Sequence, residues 1–137
     1  MSEKPALMNE RRPTLAPLLN VRGGARAVAF YKAAFGAEEI FVHDNEGDVV
    51  AHLSVHGADF WLADESTENQ NFSPDALGGS TARLILTVDD PDGVFARAVT
   101  AGARILWPVE DQSYGWRVGR VVDPFGHHWE IGKPIPH

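Results

Sequence analysis

The chain has no cysteine. Disulfides, thiolate nucleophiles and thiolate metal sites are therefore excluded. It is also short of positive charge: 12 Lys and Arg stand against 19 Asp and Glu, a formal net charge of −7. Nucleic acid is not an expected partner, because phosphate binding needs a positive footprint. The deficit leaves room for a local basic pocket. No apolar run is long enough to span a bilayer, and no secretory apolar stretch stands near the N-terminus. A membrane is not an expected partner, and the expected location is the cytoplasm. What is present is ordinary for a globular chain: 137 residues, 44% hydrophobic, enough for one domain with a real core.

Residues 1–13 are polar, carry two prolines and show no periodicity, so they read as a flexible tail. The rest, 14–134, reads as one domain of two modules. In the first, a strand over 15–21 is broken by Gly23-Gly24. A helix over 25–35 follows, with Val28, Tyr31 and Phe35 on one stripe and Gly36 closing it. Strands follow at 38–43, 49–55 and 58–63, the last two joined at His56-Gly57. Residues 64–79 read as a linker or surface loop. The order then repeats: strand 81–88, helix 91–101 capped by Asp89 or Asp90, strand 104–109, and a closing hairpin of 116–122 and 127–131. The expected fold is α+β, with two tandem βαβββ modules at about 14–63 and 80–132.

Strand parity then sorts side chains by face. A two-residue turn at His56-Gly57 places Trp61 beside His52, with Phe60 and Leu62 on the apolar side. Arg83, Ile85 and Thr87 oppose Leu84, Leu86 and Val88. In the last hairpin, Asp123-Pro124-Phe125-Gly126 has the residues of a tight turn. If Asp123 faces Gly126, then Arg117, Gly119, Val121, His128 and Glu130 share a mixed face. Trp116, Val118, Val122, Trp129 and Ile131 share the packing face. Curved sheets would gather the mixed faces into one concavity holding His52, Trp61, Arg83, Arg117, His128 and Glu130. Apolar walls with a few convergent polar groups suit a small-molecule ligand. His127, on the opposite parity from His128, is placed at the surface of the turn.

Two βαβββ modules closing with Asp123-Pro124-Phe125-Gly126-His127-His128-Trp129-Glu130-Ile131 resemble the vicinal oxygen chelate superfamily, which includes glyoxalase I, extradiol dioxygenases and bleomycin-resistance proteins. Within it, Phe30-Tyr31-Lys32-Ala33-Ala34-Phe35-Gly36-Ala37 and Gly115-Trp116-Arg117-Val118-Gly119-Arg120 resemble the glyoxalase-like branch found beside phosphonate-utilisation genes. The resemblance runs over about 14–131. It implies a U-shaped cavity and a homodimer. In metal-using members it implies a ligand on each of four strands, at Ala16, His52, Arg83 and Glu130. Ala16 offers no ligand atom, and Arg83 is a permanent cation. The resulting expectation is a metal-free cavity for a small anionic or planar molecule, with no cofactor, in which Arg83 pairs with Glu130. The alternative is a metal-dependent lyase, isomerase or dioxygenase that holds a divalent ion on His52 and Glu130.

Overall fold

Most strands of this chain turn one apolar face inward, and two helices cover it. The computed structural model describes residues 11–136; residues 1–10 of the expected tail, and His137, lie outside them. The first module is β1 (Leu18–Val21), α1 (Gly24–Phe35), β2 (Glu38–Asn45), β3 (Asp48–Val55) and β4 (Ala58–Asp64). A short helix α2 (Pro74–Leu77) leads to the second module. That module is β5 (Arg83–Thr87), α3 (Pro91–Ala101), β6 (Arg104–Asp111), β7 (Trp116–Val122) and β8 (His128–Pro134). The sheets have the orders β1-β4-β3-β2 and β5-β8-β7-β6. In each, the outer pair β1–β4 or β5–β8 is parallel and the rest is antiparallel. This is the α+β, two-module architecture that the sequence implies. Among the described residues, no helix is long and apolar enough to cross a membrane.

Local chemistry explains the helices. Gly36 ends α1 in the left-handed region at φ 68°, where its amide bonds back to the last turn. Asp90 caps α3, accepting from Gly93 N at 3.1 Å, and Pro91 sits at the first position. The α1 N-terminus uses a distant cap. Asp64 Oδ1 accepts from the amides of Gly23 and Gly24 at 3.2 and 2.8 Å, and Oδ2 accepts from Val49 N at 2.8 Å. One carboxylate thus satisfies orphan helix donors and ties α1 to β3 and β4. A Cβ on Gly24 would stand 2.6 Å from Asp64 Oδ2, so only glycine fits there. The stretch read as a linker holds a 3-10 turn at Thr67–Asn69 and α2, whose cap is Ser73.

The modules share one core. α1 buries Tyr31 and Phe35, and both rings pack against Trp129 of β8, at 5.5 and 4.7 Å between centroids. Phe30 meets Phe125 edge-on at 6.1 Å. At this junction the Asp123 carboxylate, 4% exposed, is fully engaged. Oδ2 accepts from the Tyr31 hydroxyl and from Trp129 Nε1 at 2.9 Å; Oδ1 accepts from Phe125 N and His127 N at 2.9 and 3.0 Å.

The closing hairpin differs from the expected register by one residue. Gly126 N bonds Asp123 O at 3.0 Å, and Asp123 N bonds His127 O at 2.9 Å. The connection is therefore a tight turn plus one bulged residue, Gly126, at φ 90°. Asp123 faces His127, not Gly126. A slip of one residue exchanges the faces of one strand relative to the other. Val122 now faces His128, Arg120 faces Glu130 and Val118 faces Gly132. Gly119, Val121, Trp129 and Ile131 form the buried face. The expected grouping of Arg117, Gly119 and Val121 with His128 and Glu130 is thereby overturned.

Candidate functional site

Backbone register sets a row of side chains across the uncovered face of the second sheet: Ile85 on β5, Glu130 on β8, Arg120 on β7 and Trp107 on β6. Neighbours in such a row stand close enough to interact directly. Arg120 Nη2 donates to Glu130 Oε2 at 2.9 Å, and its guanidinium lies 4.2 Å from the centre of the Trp107 ring. Arg83, one pleat from Ile85, brings Nη1 within 3.1 Å of the same carboxylate oxygen. Two guanidiniums thus share one carboxylate, and each keeps N–H donors that Glu130 does not use. The Arg120 side chain is 13% exposed and that of Arg83 59%. Arg120 Nε is buried with no hydrogen-bond partner among the described residues. A cavity of about 460 Å³ opens here, lined by Arg83, Arg120, Trp107 and Tyr114 among others, and by two carboxylates, Glu130 and Glu110.

His128 shares this face, opposite Val122 and beside Arg83. Burial, then the charges of Arg120 and Arg104, holds its pKa below the usual histidine value. It is neutral at pH 7 and adds no charge to the cluster. Its Nδ1 is buried without a partner among the described residues.

The first sheet carries the matching row Leu18, Trp61, His52 and Phe41. His52 and Trp61 stack at 4.4 Å with an 11° interplanar angle. His52 Nε2 meets Asp59 Oδ2 at 2.9 Å. Hydrogen bonds from Ser54 first and His52 second hold the Asp59 carboxyl below the usual range. Strand for strand, Trp61 is the counterpart of Glu130, and His52 of Arg120. His52 and Trp61 belong to this sheet and do not line the cavity around Glu130.

Arg117 lies elsewhere, a direct result of the register. It points to the helix side, where Nε and Nη2 grip Asp92 of α3 at 2.8 and 2.7 Å and Nη1 meets Asp111 at 2.9 Å. Asp92 first and Asp111 second raise its pKa above the ordinary arginine value. It clamps β7 to α3 and is not a lining residue of the cavity. His127, expected at the surface, is 9% exposed, with Nε2 2.8 Å from Asn20 O. It joins the closing turn to β1. Sequence reasoning missed Arg120, Trp107 and Asp59. Arg120 was legible only through the bulge at Gly126, and Trp107 only through the irregular pairing of β6 with β7.

A divalent cation does not fit these residues. Leu18, Trp61 and Ile85 offer no ligand atom, and Glu130 is already held by two guanidiniums. His52 Nε2 is engaged by Asp59. Among the described residues, no group of three or more His, Asp or Glu could hold a metal ion.

The fold and cavity together define a two-module α+β protein with a pocket of small-molecule size on the open face of its second sheet. Residues 14–131 match the family model for the glyoxalase/bleomycin resistance protein/dioxygenase superfamily, and the chain belongs to that superfamily. An uncharacterised protein of Mycobacterium tuberculosis is 40% identical over 128 residues, which cover 90% of this chain and 75% of its own length. Among solved structures, an Arabidopsis thaliana gene product has a TM-score of 0.70 at 31% identity, covering 90% of this chain and all (100%) of that one. TioX from Micromonospora has a TM-score of 0.69 at 26% identity, covering 91% and 98%. The fosfomycin resistance protein FosX of Listeria monocytogenes, in a complex with Mn(II), shares the fold at 16% identity. Its TM-score is 0.66, with 88% and 89% covered.

Proposed function

We propose that this chain binds a small anionic molecule in a metal-free cavity built on Arg83, Arg120 and Glu130. One observation carries the reading: two guanidiniums converge on a single carboxylate oxygen, with donors left over. Glu130 keeps the arginines in place, and their spare N–H groups meet the ligand. A planar fork suits a carboxylate or phosphonate. Trp107 adds an aromatic wall beside the charge, which suits a planar group. Superfamily members bind small-molecule substrates, and this supports the class of ligand. The donor set gives no support to a metal-dependent lyase, isomerase or dioxygenase centred on His52 and Glu130.

The test is calorimetric titration of the chain with benzoate and methylphosphonate, in the presence of a chelator. Binding of at least one probe is expected, and Arg83→Met should weaken it ten- to a hundredfold, in line with a lost charged hydrogen bond of about 1.5–3 kcal/mol. Binding that requires added metal would reject the proposal, as would binding indifferent to Arg83.

The same reading includes a homodimer. Edge strands β2 and β6 leave Ile40, Phe41, Val42, Ile105 and Trp107 exposed, and uncovered apolar edges invite pairing. Light scattering should give twice the chain mass; a monomer mass across a broad concentration range would remove this part.

A further inference from the structure

We infer that the bound anion carries an aliphatic chain, and that this chain lies in the crevice between the two sheets. The inference rests on the reading of Arg83 as an anion anchor and adds the other end of the molecule.

The crevice measures about 610 Å³, within the ~300–1,000 Å³ typical of ligand pockets. It runs along the seam where β1 ends one sheet and β5 begins the other. Leu18 and Phe60 line it from the first module, Ile85 from the second, and Phe72 and Leu77 from the segment around α2. Leu18, Phe72, Leu77 and Ile85 are all exposed. Isolated exposed hydrophobes need no explanation, but four that converge on one crevice form an uncovered apolar surface.

Arg83 says what covers it. It lines this crevice and also the cavity of Arg120 and Glu130, and no other residue is common to both linings. A cation therefore stands where an apolar trough meets an anion site. Three of the other polar side chains at the crevice are engaged: Asp59 with His52, His127 with the Asn20 carbonyl, and Ser80 with the Ala82 carbonyl. The matching ligand has a carboxylate or phosphonate head and a hydrocarbon tail. A neutral hydrocarbon would leave the Arg83 donors unused, and a small anion alone would leave the trough wet.

The experiment titrates the full chain, with chelator present, with hexanoate, octanoate, decanoate and 1-hexanol, following heat. Affinity should rise roughly two- to fourfold for each added methylene, the gain expected for burying a CH₂ group. Leu77→Ser, in an exposed position of α2, should flatten that rise, weakening decanoate more than hexanoate. 1-Hexanol should bind at least tenfold more weakly than hexanoate. Equal affinity across the acids would overturn the inference and leave the anion reading intact. If no carboxylate binds, the anchor itself is wrong and the inference falls with it. Hexanol binding as tightly as hexanoate would separate the crevice from Arg83 and also reject the inference. If Leu77→Ser dissociates a dimer and leaves the chain-length series unchanged, a second copy covers the crevice, and the tail has no place there.

Discussion

Asp123→Ala is expected to cost about 4 kcal/mol of folding stability, measured by urea or guanidinium unfolding. The carboxylate is 4% exposed and receives two side-chain and two backbone donors. Truncation strands the Tyr31 hydroxyl and Trp129 Nε1 in the shared core, and each stranded donor costs roughly 1–3 kcal/mol. The turn also loses the two amide bonds that shape it. Tyr31→Phe removes one donor and leaves the other three in place, so its cost should be nearer 1–2 kcal/mol. A loss below about 1 kcal/mol for Asp123→Ala would mean that water or a neighbour replaces the carboxylate, and that the junction is softer than its bonds imply.

The tyrosine adds a dependence on pH. Burial first, and the charge of Asp123 second, push the Tyr31 pKa well above the usual tyrosine value. The folded state therefore holds this proton more tightly than the unfolded state does. The stability it contributes is complete below about pH 10, the unfolded value, and is lost as pH climbs from there through the folded one. Tyr31→Phe should remove that alkaline decline from the stability profile.

The second large effect belongs to Glu130. Glu130→Gln is expected to cost about 3 kcal/mol, because it leaves Arg120 as a mostly buried cation without its counter-charge. In a double-mutant cycle, Arg120→Met and Glu130→Gln should couple by about 2 kcal/mol. Arg83→Met against the same change should couple by less than about 1 kcal/mol, since Arg83 is more than half exposed and water screens its pair. Coupling larger for Arg83 than for Arg120 would reverse this order and move the centre of the cluster toward β5.

The ranking of the two arginines also shows what was legible in the sequence. Helices α1 and α3 were readable because their glycine stops and the Asp90 cap are local signals. The β3–β4 hairpin was readable because His56 and Gly57 both have positive φ in a two-residue turn, the connection that the spacing suggests. It placed Trp61 beside His52 correctly. The parallel pairing of β5 with β8 put Arg83 near Glu130, as the mixed faces and the family resemblance together implied. The last hairpin failed on a single residue. Asp-Pro-Phe-Gly fits either a two-residue loop or a turn with a trailing glycine bulge, and only the second lets Asp123 accept from the amides of Phe125 and His127. The slip hid Arg120 and promoted Arg117, which serves α3 instead, while Trp107 was hidden by the irregular pairing of β6 with β7. His127 was misplaced for a different reason: its carbonyl partner, Asn20, lies 107 residues away in the chain. No local pattern encodes that distance.

The Tyr31–Asp123 bond spans 92 residues and has a consequence for synthesis. The amino-terminal module leaves the ribosome with its helix and all four of its strands, yet without the acceptor for its own central tyrosine and without Trp129 to cover Phe35. Its hydrophobic surface stays open until the hairpin of β7 and β8 is translated. Folding therefore waits on the carboxyl-terminal hairpin, at the loop-closure cost that such distant contacts carry. A nascent chain stalled before residue 123 is expected to hold one complete sheet and still need protection from aggregation.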